Sequence, residues 1–120
     1  MASLFWANDA GKGEDEMVKQ DAVNAGVKCS QADYQRLSNE KDARCHDGSA
    51  RSCSIQTDDC ASATAKVAAG YACIDARTNF QKNCFSPGGS GYEGHMQQIA
   101  QEYALLRNCI EVMHEKCGDR

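Results

Sequence analysis

Apolar positions along this chain recur at helical spacing far more often than they alternate. The best-marked stretch is the C-terminal one. There Ile99, Tyr103, Leu106, Ile110, Met113 and Cys117 follow three- and four-residue steps and predict a helix over about 95–116. Upstream, within "CASATAKVAAGYACIDARTNFQ", Cys60, Ala63, Val67, Tyr71 and Ile74 repeat the pattern as a narrower stripe, with Thr57 or Asp58 as N-cap. The small residues of that stripe permit a close helix neighbour. A shorter helix is expected over 31–44, capped by Ser30, with Tyr34 and Leu37 on one face. Another is expected over 14–27, with Met17, Val18 and Ala22 inward. Residues 1–13 are charged and glycine-bearing without periodicity and read as a tail. The segment 45–57, "CHDGSARSCSIQT", is a polar loop. The expected fold is mainly α: one domain over 14–120, built of about four helices, with at most a short strand pair in the loops.

Composition shows that such helices have little to pack with. Ile, Leu, Val and Phe together number 16 of 120 residues, below the ~20 % at which disorder becomes the expectation. The net charge of −4 is too small to force expansion. Eight cysteines, Cys29, Cys45, Cys53, Cys60, Cys73, Cys84, Cys109 and Cys117, resolve the conflict. An even number in a small, core-poor chain indicates a disulfide framework. The alternative use, zinc, needs close pairs of the C-x2-C or C-x4-C kind, and the closest two here, Cys53 and Cys60, have six residues between them. Helix geometry limits the pairing. Cys60 and Cys73 would lie ~20 Å apart on one helix and Cys109 and Cys117 ~12 Å, beyond the ~7 Å that a bridge spans. Cys45 and Cys53 could close the polar loop between them, and the remaining cysteines must largely join different helices.

Disulfides point to an exported protein. The N-terminal "MASLFWANDAGKGEDEM" is not a signal peptide, so the expectation is a piece of a larger exported protein or a chain that has lost its leader. No stretch reaches the ~18 apolar residues of a transmembrane segment. A slightly acidic chain is a poor non-specific binder of nucleic acid, so no stable nucleic-acid binding is expected.

One loop stands apart. "CFSPGGSGYEGH", 84–95, places four glycines and the only proline ahead of His95, at the expected start of the last helix. Unpaired N–H groups and the positive end of the helix dipole favour an anion there and a neutral imidazole. His95 is therefore a candidate general acid/base, with Gly88, Gly89 and Gly94 as substrate-binding backbone. The bland alternative is a turn in which the glycines serve the chain direction only. Arg77, in "CIDAR", is either an anion-binding catalytic residue or a favourable cation near a helix C-terminus, and Arg51 is a weaker candidate of the same kind. His46 could share acid/base duty with His95, or His46, Asp47 and His95 could hold a divalent ion, although an exposed loop position is the plainer reading of His46. No P-loop, zincin or serine-hydrolase motif is present.

The run of Cys45, "RSC" (51–53), Cys60, "ACIDAR" (72–77), "NCF" (83–85), the glycine pair 88–89, "GH" (94–95) and "NC" (108–109) resembles a family of C-terminal toxin domains. These belong to the "novel toxin" families of bacterial polymorphic toxins of Rhs and filamentous-haemagglutinin type. The resemblance spans about residues 45–109; its glycine loop is a few residues longer here, and Cys29 and Cys117 lie outside the pattern. It implies a secreted antibacterial toxin module, carried by a larger polypeptide, neutralised by a cognate immunity protein and delivered to a target periplasm or cytoplasm. With Gly-His part of the pattern, the functional reading of His95 is preferred: a metal-independent hydrolase or phosphodiesterase acting on an anionic substrate, with no cofactor. The alternative is a non-enzymatic, disulfide-stapled binding or membrane-perturbing module.

Overall fold

The computed structural model describes residues 26–118, in which three α-helices and one 3-10 turn are found. The expected tail 1–13 and most of the expected helix 14–27 lie outside these residues. The last two positions of that helix are not helical. Gly26 is left-handed (φ 79°), and Val27 forms an antiparallel bridge with Phe85.

Helix α1 (Gln31–Cys45) begins where expected. The Ser30 hydroxyl accepts from the Asp33 N–H at 3.1 Å, satisfying one of the free donors of the first turn. Within the polar loop, Asp47 caps a 3-10 turn (Gly48–Arg51). Helix α2 (Cys60–Cys84) starts one to two residues later than either expected cap. Asp59 and Ser62 form a reciprocal capping box, with N–H···O distances of 2.8 and 3.0 Å. Asp58 is buried instead, accepting from the Ser54 N–H, the Ser62 hydroxyl and the Lys66 ammonium.

Helix α3 (Ser90–Cys117) corrects the sequence reading most. It begins five residues before His95, so Gly91 and Gly94 are helical rather than part of a loop. Glycine inside a helix costs ~1 kcal/mol relative to alanine, yet tertiary contacts carry the helix through. Tyr92 packs on the aromatic core, and the buried Gln81 side chain donates to the Tyr92 carbonyl at 3.1 Å. The true turn is only Ser86–Gly89, with Gly88 at φ 90°. The helix ends on left-handed Gly118, whose N–H returns to the His114 carbonyl.

Contacts from Tyr92–Gln81 at one end to Cys60–Cys117 at the other make α2 and α3 antiparallel. Those from Cys29–Cys84 to Cys45–Cys73 do the same for α1 and α2. Both α1 and α3 pack on α2 and touch one another little. All eight cysteines are paired: Cys29–Cys84, Cys45–Cys73, Cys53–Cys109 and Cys60–Cys117. Cys45 and Cys53 therefore do not close the loop between them; each ties it to a helix instead.

The core forms two clusters. One is aromatic, with Leu37, Phe80, Cys84 and Phe85 buried and Tyr34 and Tyr92 against them. The other is aliphatic, with Val67, Ile74, Leu106 and Cys109. The inward faces differ from the expected stripes. Tyr71 and Tyr103 are exposed, Ile99 and Ile110 are half-buried, and Gly70, Phe80, Glu102 and Val112 are buried in their stead. Among the described residues no helix is long and apolar enough to cross a membrane.

Candidate functional site

A cavity of about 310 Å³ opens where α1 and α3 diverge over the C-terminal half of α2. From α1 it receives Tyr34, Ser38 and Lys41, spaced so that they share one helix face. From α3 it receives Gly91, Gly94, His95 and Gln98, again one face, and Phe80 and Phe85 form its floor. Lacking side chains, Gly91 and Gly94 leave space that larger residues would occupy. A Cβ built on Gly94 meets nothing within 4 Å.

His95 stands in this cavity on two aromatic rings. Its centroid lies 4.9 Å from Phe80 at 72° and 4.6 Å from Phe85 at 41°. Its Nδ1 is buried with no hydrogen-bond partner. Burial pushes the imidazole down to about 4, helped by the positive charges of Lys41 and Arg77. The neutral form anticipated from sequence is thus present at neutral pH, but its cause is burial. His95 is in the second turn of α3, behind the helix start on which the dipole argument rested. A proton on Nδ1 would be a buried donor without an acceptor, a rare and costly state. The ring therefore rests with its proton on Nε2.

Cations surround the ring. Lys41 Nζ lies 5.9 Å from the Phe80 centroid and 2.9 Å from the exposed Asp42 carboxylate. Arg77 lies one side chain further back. Its Nη1 donates to Gln98 Oε1 at 2.6 Å, and its Nε, buried without a hydrogen bond, is 3.9 Å from Glu102 Oε2. Glu102 is already engaged. Arg51 grips it with Nε and Nη2, both at 2.8 Å, and spends Nη1 on the carbonyls of Cys45 and Asp47. Desolvation lowers the Arg77 pKa, the Glu102 carboxylate opposing it.

Of the residues singled out in the sequence, His95 and Gly94 line the cavity, and Arg77 reaches it through Gln98. Arg51 is a buried ion-pair partner, not a lining residue. Gly88 and Gly89 form the turn and the N-cap of α3 outside the cavity. His46 is exposed against the Ala43 carbonyl, and Asp47 caps the 3-10 turn. The structure does not gather His46, Asp47 and His95. Among the described residues no group of three His, Cys, Asp or Glu is placed to hold a metal ion. Lys41, Ser38, Tyr34 and Gln98 were missed by sequence reasoning. Their one signal was spacing: 34, 38 and 41 share a face of an otherwise polar helix, as do 91, 94, 95 and 98.

Comparison with known proteins gives one family. The model of Novel toxin 16 matches residues 24–112, which is most of the chain, and the chain belongs to that family. The match extends beyond 45–109 at both ends. It takes in Cys29 and therefore the whole Cys29–Cys84 bridge, while Cys117 stays outside it. No curated protein and no solved structure matches the chain.

Proposed function

We propose that this toxin-family domain is the active end of a secreted antibacterial toxin, and that it acts as a hydrolase-type enzyme on an anionic substrate held in the His95 cavity. The observation that carries this reading is a neutral imidazole packed against two phenylalanines in an open cavity bordered by Lys41 and backed by Arg77. Lys41 supplies positive charge for the substrate's anionic group. His95 offers Nε2–H as a donor while Nδ1 stays buried. The bound anion would meet the neutral ring at Nε2–H, and that hydrogen bond strengthens as negative charge develops during bond breaking. Arg77 acts from behind Gln98. At about 310 Å³ the cavity is at the lower end of small-molecule sites and suits one head group or monomer unit. Membership in a toxin family supports a larger carrier polypeptide and a cognate immunity protein as partners, and the four bridges support delivery through an oxidising compartment, to a target periplasm or cytoplasm.

The test is growth inhibition by the oxidised domain, expressed with and without a periplasmic leader, set against its melting temperature. Because His95 packs on Phe80 and Phe85, His95→Phe is the appropriate variant beside His95→Ala: it keeps a ring and removes both nitrogens. Loss of toxicity in a His95→Phe protein that melts like the parent supports the reading. Full toxicity in that protein overturns it in favour of a non-enzymatic binding module.

A further inference from the structure

We infer that Gln98 is a specificity-determining residue of this cavity: oriented by Arg77, which holds its oxygen and leaves its NH2 as the unpaired group, it favours a phosphoryl-type oxyanion. The inference rests on the reading that the His95 cavity is the functional site. A glutamine side chain ordinarily offers a cavity both an acceptor and a donor, and its amide can turn over. Here it cannot. A guanidinium has donors only, and Arg77 Nη1 sits 2.6 Å from the amide oxygen. Arg77 is in turn drawn towards Glu102, whose two oxygens are fixed by Arg51. The Gln98 oxygen is therefore held towards Arg77, and among the described residues its NH2 group makes no hydrogen bond.

The other lining groups agree in kind. Lys41 has donors only, one of them directed to Asp42 at 2.9 Å. Nε2 of His95 carries the ring proton while Nδ1 is buried. The Ser38 hydroxyl can turn to donate. Around the cavity three cations, Lys41, Arg77 and Arg51, face two carboxylates, Asp42 and Glu102, and Glu102 is gripped by Arg51 at both oxygens. A site with donors on α1 and α3 and a surplus of one positive charge suits an anionic ligand made of acceptors. A tetrahedral phosphoryl group meets this description better than a planar carboxylate, because its oxygens reach donors on two helices at once.

The full oxidised chain should be titrated at pH 7.5 and low salt with inorganic phosphate, acetate, ribose 5-phosphate and glycerol 3-phosphate, following the His95 ring protons by NMR. Phosphate is expected to shift the His95 signal saturably, to raise its titration midpoint, and to bind roughly tenfold tighter than acetate. Gln98→Glu, on an exposed position of α3, should keep the melting temperature but weaken phosphate roughly tenfold or more, because the new carboxylate pairs with Arg77 and presents an acceptor. Arg77→Met should weaken it less, by freeing the amide to turn. A gain for one sugar or glycerol ester over phosphate identifies the carrier of the phosphoryl group. Acetate binding as well as phosphate, or Gln98→Glu binding phosphate like the parent, overturns the inference. If that happens while His95→Phe is still non-toxic, only the inference falls; a toxic His95→Phe removes the reading beneath it.

Discussion

At the end of α2 that carries Phe80 and Cys84, the buried surface is aromatic and incompletely closed. Phe80 meets Tyr34, Phe85 and His95 edge-on, two buried nitrogens nearby lack partners, and a cavity remains. At the other end the same helix packs closely on α3. Gly70 allows Leu106 so close that a Cβ there would stand 3.2 Å from its Cδ1, and Val67, Ile74 and Cys109 fill the rest. The two ends share one helix and similar bridges, so the difference lies in what the side chains leave undone. Buried polar groups left without hydrogen bonds raise the free energy of the fold, and such unrelieved costs gather at functional sites. The aliphatic end supplies the stability against which the aromatic end can keep such groups.

The comparison can be broken most forcefully at the boundary. Glu102→Ala would leave Arg51 buried without its carboxylate and Arg77 without its counter-charge, so denaturant unfolding should show a loss of about 3–5 kcal/mol. Phosphate binding should also weaken, since Gln98 loses its clamp. Leu106→Ala addresses the aliphatic end alone. It should destabilise by about 2–5 kcal/mol and leave phosphate binding and the His95 titration as in the parent. An unchanged melting temperature would show that Leu106 is not core.

Acid should separate the ends by pH. The His95 pKa falls from 6.5 to about 4 on folding, so between those values the unfolded chain takes up a proton that the folded chain refuses. The associated stability is complete above the upper value and is lost as pH drops towards the lower, by at most about 3 kcal/mol. Asp58, below the start of α2, is held at about 2 by hydrogen bonds from Ser54, Lys66 and Ser62. Its contribution is lost only as pH falls from 3.8 to about 2. Equilibrium unfolding followed against pH should show both windows, and His95→Phe should flatten the first while leaving the second. The smallest effect is expected at Gly70→Ala. A gain of about 0.5–1 kcal/mol from helix propensity opposes crowding against the Leu106 side chain, and the net change should stay within about 1 kcal/mol.

The helical class, the start of α1 at Ser30 and the need for bridges between helices were legible because each follows from a local or arithmetic rule. Where α3 begins was not. Gly91 and Gly94 carry the local signature of a turn, and only Gln81 and the aromatic core, distant in sequence, make them helical. Tyr71 and Tyr103 fit the apolar stripes by spacing, yet both are exposed, because Gly70 and Glu102 beside them set the contact face. His95 was visible as a histidine at a glycine-rich junction, but the partners that define its environment were not. Lys41 and Gln98 are ordinary residues for a solvated helix face, and beyond their spacing nothing local distinguishes them from Lys66 or Gln97.

The bridges have a mechanical consequence. Three of the four end on α2, at Cys60, Cys73 and Cys84, and the fourth fastens the loop before it to α3. With bridges closing from Cys29 onward, the oxidised chain cannot be drawn out as a single extended strand from either terminus. A channel that threads polypeptides one strand at a time would stall on it at the first bridge. Passage through such a channel requires the thiol form, with oxidation following on the far side, whereas the oxidised form needs a conduit wide enough for three packed helices. The redox state in which this domain meets a membrane therefore selects the kind of pore that can carry it.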